Sequence, residues 1–154
     1  MATKYKGVQL YKVSLVRDGK LTYDTPEQAT LGQKVNSPAD AAKVLAPIFQ
    51  GSDREIFAVA MLDVKKAIIG INIASVGTLS SSLVHPREVF KPAILASAHS
   101  ILVAHNHPSG DTTPGKKDII TTKRLKEAGE LIGIELMDHL ILGEDGTYKS
   151  LLLD

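Results

Sequence analysis

Residues 101–118, with the sequence ILVAHNHPSGDTTPGKKD, are the stretch from which both the fold and the site of this chain can be predicted. An apolar run ends in His105, Asn106 and His107, and a polar loop with two prolines and two glycines follows. Asp118 then lies at the start of a pattern typical of a helix. This order of signals predicts a buried strand, a tight connection and a helix.

The two histidines of this stretch are candidate metal ligands. Side chains two residues apart on a strand point to the same side, so His105 and His107 should face one side together, and the loop can bring Asp118 back to them. Two histidines and one carboxylate suit Zn²⁺ and leave a fourth tetrahedral position for water, as in a catalytic site. A zinc ion lowers the pKa of such a water from 15.7 to about 7. A His-x-His pair alone is weak evidence for a metal site, and the loop and the aspartate that follow strengthen it.

The spacing of these residues resembles the JAMM (MPN+) metalloprotease motif, in which His-x-His-Pro is followed ten residues later by an aspartate. Several further segments resemble the bacterial RadC family: VHPREVF at residues 84–90, AHNHPSGD at residues 104–111, Ala128-Gly129 and Asp138-His139. The resemblance covers residues from about 37 to 152. RadC proteins usually carry a helix-hairpin-helix segment before this domain, and since the sequence shows none, we expect a stand-alone RadC-type JAB domain.

The resemblance also implies a fold. We expect an α/β (α+β) domain with a mixed β-sheet flanked by helices, similar to JAB/MPN metalloproteases and related to the cytidine-deaminase-like architecture. Residues 1–36 would be an N-terminal extension and residues 37–154 the RadC-like domain.

Composition excludes several classes of protein. The 154 residues include 44% hydrophobic and 23% charged residues, which is typical of one soluble globular domain. The net charge of +1 gives no global basic field for nucleic acid. The absence of cysteine excludes disulfides, thiol nucleophiles and cysteine-ligated zinc sites, including those of nucleobase deaminases. Neither a membrane span nor a signal peptide is apparent, so we expect a cytoplasmic protein.

The remaining elements follow from local patterns. Strands are predicted at residues 8–16, 21–23, 55–62, 67–76, 100–105, 134–142 and 148–152, and helices at residues 37–49, 86–98 and 116–132. Ser37 should cap the first helix, with proline at its first position. Pro92 should kink or restart the second helix. One face of the third helix should pack on the core, and its residues are Asp118, Thr121, Leu125, Ala128 and Ile132.

Metal-activated hydrolysis also needs a base that takes a proton from water and returns it to the leaving group. The JAMM pattern places a glutamate on a strand upstream of the histidines, and the matching position is Glu55. The alternative is that Glu55 is an exposed residue at the end of a strand. Glu88 competes for the role, but its helical segment favours a surface position.

Gly115 departs from the pattern. JAMM proteins usually carry serine three residues before the aspartate, where its hydroxyl stabilises the oxyanion of the tetrahedral intermediate. Glycine has no side chain for this, and losing one such donor costs on the order of a hundred- to a thousandfold in rate. Ser109, Thr112, Thr113 or a backbone N–H could substitute.

The other histidines and the basic residues are interpreted structurally. His85 should lie at the N-cap of its helix, with a place near the metal as the alternative. His139 should be a core or sheet residue, and His99 belongs to no motif. The cations Lys116, Lys117, Lys123, Arg124 and Lys126 should form a solvated helix face, with a phosphate or nucleic-acid contact as the alternative.

Two functional hypotheses remain open. The first is a zinc-dependent hydrolase of peptide or isopeptide bonds with one Zn²⁺ per chain, in which Glu55 is the catalytic acid–base and His105, His107 and Asp118 are the ligands. The second is a metal-binding accessory module, with weak or no catalysis, in DNA repair, recombination or mobile-element biology. The motif reveals no particular substrate, and resemblance of fold does not settle function.

Overall fold

The computed structural model describes residues 32–77 and 84–153. The strands predicted at residues 8–16 and 21–23, and residues 78–83 before Val84, lie outside the described residues. Within the described part of the chain, five strands form one mixed sheet in the order β2-β1-β3-β4-β5. The strands are β1 Ile56–Leu62, β2 Ile68–Val76, β3 Ser100–Asn106, β4 Glu135–Leu142 and β5 Tyr148–Ser150. The helices are α1 Pro38–Phe49, α2 Pro86–Leu95 and α3 Lys116–Ile132, with a 3-10 turn at Glu144–Gly146.

Strand β3 lies at the centre of the sheet and is buried along its whole length. It pairs antiparallel with β1 and parallel with β4. A strand buried on both faces reads as a continuous apolar run, which is what residues 101–104 show. The pairing sets Phe57 opposite His105 and Val103 opposite His139.

Helices cover both faces of the sheet and create two hydrophobic cores. On one face α1 contributes Val44 and Leu45 to the first core. On the other face α2 and α3 contribute Phe90 and Leu125 to the second. The predicted mixed α/β fold is therefore confirmed. No helix among residues 32–77 and 84–153 is both long and apolar enough to span a bilayer.

The helix starts follow the predicted capping. The Ser37 hydroxyl accepts a hydrogen bond from the Asp40 N–H at 3.1 Å, and Pro38 begins α1. His85 is the N-cap of α2, as predicted, and its Nδ1 accepts from the Arg87 N–H at 3.2 Å.

The predicted end of α2 at residue 98 was wrong. The helix continues through Pro92 but ends at Leu95. Ser97 adopts a left-handed conformation with φ of 55°, and the Ala98 N–H bonds to the Ala93 carbonyl at 3.0 Å. This turn ends the helix and leads the chain into β3.

The predicted core face of α3 was wrong in part. The buried residues of α3 are Thr122, Leu125 and Gly129, whereas Ile132 is 44% exposed. Only Leu125 is a fully buried residue of the predicted face. The side of α3 that carries Gly129 faces the core, because a residue without a side chain permits the closest approach to the backbone at residues 134–136.

Gly129 is therefore a site of close packing. A Cβ at this position would lie 2.5 Å from the Ile134 carbonyl oxygen and 3.3 Å from Cζ of Phe90. We expect Gly129→Ala to lower the free energy of unfolding by about 1–3 kcal/mol through overpacking, although alanine is the better helix former by about 1 kcal/mol. Urea unfolding measures this, with Glu130→Ala on the exposed face as control. A Gly129→Ala protein as stable as wild type would contradict the close packing.

Candidate metal centre

Three side chains meet where β3 ends and α3 begins. His105 Nε2 lies 3.1 Å from His107 Nε2 and 3.0 Å from Asp118 Oδ1. His107 Nε2 lies 3.2 Å from Asp118 Oδ2. One donor atom from each residue therefore lies within 4.8 Å of the other two, in a group that could hold a metal ion.

The loop between the histidines and the helix brings these residues together. The Gly110 N–H bonds to the His107 carbonyl at 2.8 Å and starts the turn. His107 Nδ1 lies 2.7 Å from the Asp111 carbonyl oxygen. Asp118 is the third residue of α3, and its Oδ2 accepts from the Gly115 N–H at 2.7 Å. The same carboxylate thus caps the helix and faces the histidines.

The donor set fits a metal ion. Because the Asp111 carbonyl can only accept, His107 Nδ1 carries the proton and its Nε2 carries a lone pair. This lone pair, the Nε2 of His105 and the Asp118 carboxylate converge on one point, which a bound cation would stabilise. Ligands about 2.0–2.1 Å from a tetrahedral zinc ion lie roughly 3.3 Å apart, close to the observed distances.

The Asp118 carboxyl group is held in its ionised form. Burial raises its pKa, but the close contact with the His105 imidazole, the hydrogen bond from the Gly115 N–H and the electrostatic attraction of the two imidazoles when they are protonated lower the pKa well below its usual range. A deprotonated carboxylate is the form that binds a metal.

The three donors line a cavity of about 390 Å³. Glu55 lines the same cavity and is partly buried. It directly precedes β1, which begins at Ile56 rather than at the predicted residue 55. Glu88 lies on the surface of α2, as predicted, and its carboxylate is 3.6 Å from Nε of Arg87.

The surroundings of Gly115 narrow the alternatives for the missing serine. Of the three hydroxyl residues considered, Thr113 lines the cavity, and Ser109 and Thr112 do not. The backbone at Gly115 has φ of −84°, and a Cβ there would meet only Asp118 Oδ2, at 3.4 Å. A serine at this position would therefore fit.

Asn106 is a residue for which the sequence suggested no role. Its Oδ1 accepts from the Ile56 N–H at 2.7 Å, and its Nδ2 donates to the Arg54 carbonyl at 2.9 Å. These two peptide groups flank Glu55, so Asn106 holds the backbone on both sides of it. The sequence offered one indication of such a role, which is that Asn106 is a polar residue between two histidines at the end of a buried strand.

His139 was correctly predicted as a core residue, but its contact with the site was missed. It is fully buried, and its Nε2 lies 2.8 Å from His105 Nδ1. Its Nδ1 lies 2.6 Å from the hydroxyl oxygen of Thr122. Burial lowers the pKa of His139 to about 3, so its imidazole is neutral. The sequence does not show which strand lies beside β3, so the contact between His139 and His105 could not be predicted from nearby residues.

The other polar residues singled out in the sequence lie outside the metal centre. His99 is exposed, and its N–H bonds to the Leu62 carbonyl at 2.8 Å. The five cations of α3 are exposed, as expected of a solvated helix face. Lys116 and Lys117 also border the cavity.

The fold and the donor set together define an α/β domain of the JAB type. The chain belongs to the RadC-like JAB domain family, whose model matches residues 35–153. The family resemblance predicted from the sequence is thereby confirmed.

Relatives of this chain occur in several bacteria. The UPF0758 protein of Staphylococcus carnosus (strain TM300) is 44% identical over 154 residues, covering 97% of this chain and 66% of the relative. The UPF0758 protein of Moorella thermoacetica (strain ATCC 39073 / JCM 9320) is 51% identical over 117 residues, covering 76% of this chain and 51% of the relative. The UPF0758 protein of Rubrobacter xylanophilus (strain DSM 9941 / JCM 11954 / NBRC 16129 / PRD-1) is 54% identical over 110 residues, covering 71% of this chain and 48% of the relative. The chain thus spans between about half and two thirds of their lengths, and their names describe no activity.

We expect near-stoichiometric zinc in protein purified without a metal-affinity tag. The reason is the convergence of His105, His107 and Asp118, and elemental analysis makes the measurement. Asp118→Asn, which keeps the shape of the side chain but removes its charge, should lower the zinc content. Protein that contains little zinc and recovers none when zinc is added would exclude the site.

The metal should not be needed for folding. The two hydrophobic cores are built without the three donors, unlike the core of a zinc finger, which folds only with its metal. Protein stripped with a chelator should keep its circular dichroism spectrum and a cooperative melt at a lower midpoint. Unfolding at room temperature on chelation would contradict this expectation.

Proposed function

We propose that this chain is a zinc-dependent hydrolase that cleaves amide bonds in peptides or isopeptides. His105, His107 and Asp118 would hold the ion, and Glu55 would be the general acid–base. The observation that supports this most directly is that Glu55 lines the same cavity as the three donors. A carboxylate beside a metal site, outside the donor group, is the arrangement that activation of water requires.

The roles of the chain's residues follow from their positions. A zinc ion held by these residues would supply a water of lowered pKa, about 7 instead of 15.7. Glu55 would take the proton from the attacking water and deliver it to the nitrogen of the leaving amine, which lets the C–N bond break. Asn106 fixes the peptide groups on either side of Glu55, so the base would keep a constant distance from the donors.

The weak point of this site is the oxyanion contact. The Gly115 N–H already donates to Asp118 Oδ2 at 2.7 Å and so does not point at a substrate oxygen. Thr113 borders the cavity, and among the three candidates its hydroxyl is the one that would replace that of the missing serine. We expect a slow hydrolase for this reason.

Two variants test the mechanism. The zinc-loaded protein is incubated with a peptide library and an isopeptide-linked library, and new termini are detected by mass spectrometry. Glu55→Gln should leave the zinc content unchanged and abolish cleavage. Gly115→Ser should raise turnover by up to about a hundred- to a thousandfold, the usual contribution of one oxyanion donor.

The double variant is the matched control. The gain from Gly115→Ser should vanish in the Glu55→Gln background, because an oxyanion donor cannot help when no nucleophile is generated. Cleavage that persists in Glu55→Gln would show that another group is the base. A wild type and a Gly115→Ser variant that both bind zinc but cleave nothing would contradict the hydrolase.

The second candidate function is a metal-binding accessory module that contacts DNA. It is favoured by Gly115 and by the exposed cations of α3, two of which border the cavity. If it holds, the wild-type protein should bind duplex DNA with an affinity that falls steeply as salt rises, and Lys123→Gln combined with Arg124→Gln should reduce the slope. Fluorescence anisotropy measures both, and absence of binding at low salt would exclude this candidate.

A further inference from the structure

A chain of buried hydrogen bonds runs behind the metal centre. It starts at His105 on β3, passes through His139 on β4 and Thr122 on α3, and ends at the backbone of Asp118. It therefore joins two of the three donor residues through the interior of the domain. The proposed hydrolysis uses neither His139 nor Thr122.

The identity of the atoms restricts the order of protons along this chain. With the Thr122 hydroxyl donating to the Asp118 carbonyl at 2.7 Å, the Thr122 oxygen accepts from the Nδ1–H of His139 at 2.6 Å. A neutral imidazole has a single N–H, so Nε2 of His139 accepts from the Nδ1–H of His105 at 2.8 Å. The lone pair of His105 is then on Nε2, the atom that faces His107 and Asp118.

The opposite order would disable the site. If Thr122 donated to His139, then His139 would donate to His105, and His105 would present an N–H to the other donors. An N–H cannot bind a metal ion. The arrangement in which Thr122 donates to the backbone is therefore the one compatible with a ligand at His105.

We infer that His139 and Thr122 are positioning residues, which hold His105 in the Nδ1–H tautomer and orient its ring for the metal. The inference rests on the proposed metal site and deepens it. His139 is 0% exposed and Thr122 is 6% exposed, so water does not compete for these bonds. The ring of His105 is also stacked on Phe57, with centroids 5.9 Å apart and an angle of 11°, so its plane is fixed from a second direction.

Zinc affinity tests this inference independently of any substrate. Dissociation constants are measured by competition with a chromophoric chelator, on folded protein well below its melting temperature. His139→Leu and Thr122→Val should each weaken zinc binding by roughly 10–100-fold, the usual effect of removing an outer partner of a metal-bound histidine. Thr122→Ser, which restores the hydroxyl, should return the affinity close to that of wild type.

Thr121→Val is the matched control. Thr121 is the neighbouring residue, lines the cavity and takes no part in the chain of bonds described above. Its replacement should leave the zinc affinity unchanged. If His139→Leu and Thr122→Val stay folded and bind zinc as tightly as wild type, the two residues only fill the core and the inference is overturned, while the proposed function stands. A wild type that binds no zinc would overturn both.

A second measurement needs no variant and so remains decisive if His139→Leu fails to fold. Long-range ¹H–¹⁵N spectra of the zinc-loaded wild-type protein report which ring nitrogen of each histidine carries a proton. His105 and His139 should both be protonated on Nδ1, with Nε2 of His139 unprotonated. A proton on Nε2 of His139 would show that it does not accept from His105 and would overturn the inference.

Discussion

The pairing of β3 with two neighbours of opposite sense is the constraint on which the rest of the structure depends. The antiparallel pairing of β3 with β1 brings Glu55 to the end of the sheet where His105 lies. The parallel pairing of β3 with β4 places His139 next to His105. Because β3 is buried on both faces, its register cannot slip without moving apolar side chains out of both cores. The site is therefore positioned by the core of the protein, and not by its loops alone.

The donor atoms of the candidate site would repel one another unless a cation or a shared proton lay between them. The Nε2 atoms of His105 and His107 and the Asp118 carboxylate lie between 3.0 and 3.2 Å apart. The fold supports this arrangement from outside, because the Asp111 carbonyl binds one imidazole and His139 the other. Such partners fix tautomer and ring orientation before any ion binds. The donor group is thus held in place by residues outside it.

In the proposed hydrolysis, the group that would activate water and the group that would stabilise the oxyanion come from different parts of the chain. Asn106, at the end of β3, binds the peptide groups on both sides of Glu55. Gly115 belongs to the loop before α3. If the proposal holds, a substitution in the loop would change the rate without disturbing the three donors or Glu55. This separation explains how a chain can keep a complete donor set while departing from the JAMM pattern at Gly115.

The sequence by itself determined the central strand, the helix caps at Ser37 and His85, and the spacing that brings His105, His107 and Asp118 together, because these depend on residues close in the chain. Only the tertiary structure decided the contacts of His139 and Asn106. A bulge in β4, between the pairs Ile101–Leu136 and Leu102–Asp138, shifts the alternation of side chains. As a result Leu136 lies in the core under α3 and His139, three residues later, faces the same side, although a regular strand would place them on opposite faces. A period counted along the chain cannot reveal such a shift, because the bulge arises from the pairing of two strands that are more than 30 residues apart in the sequence.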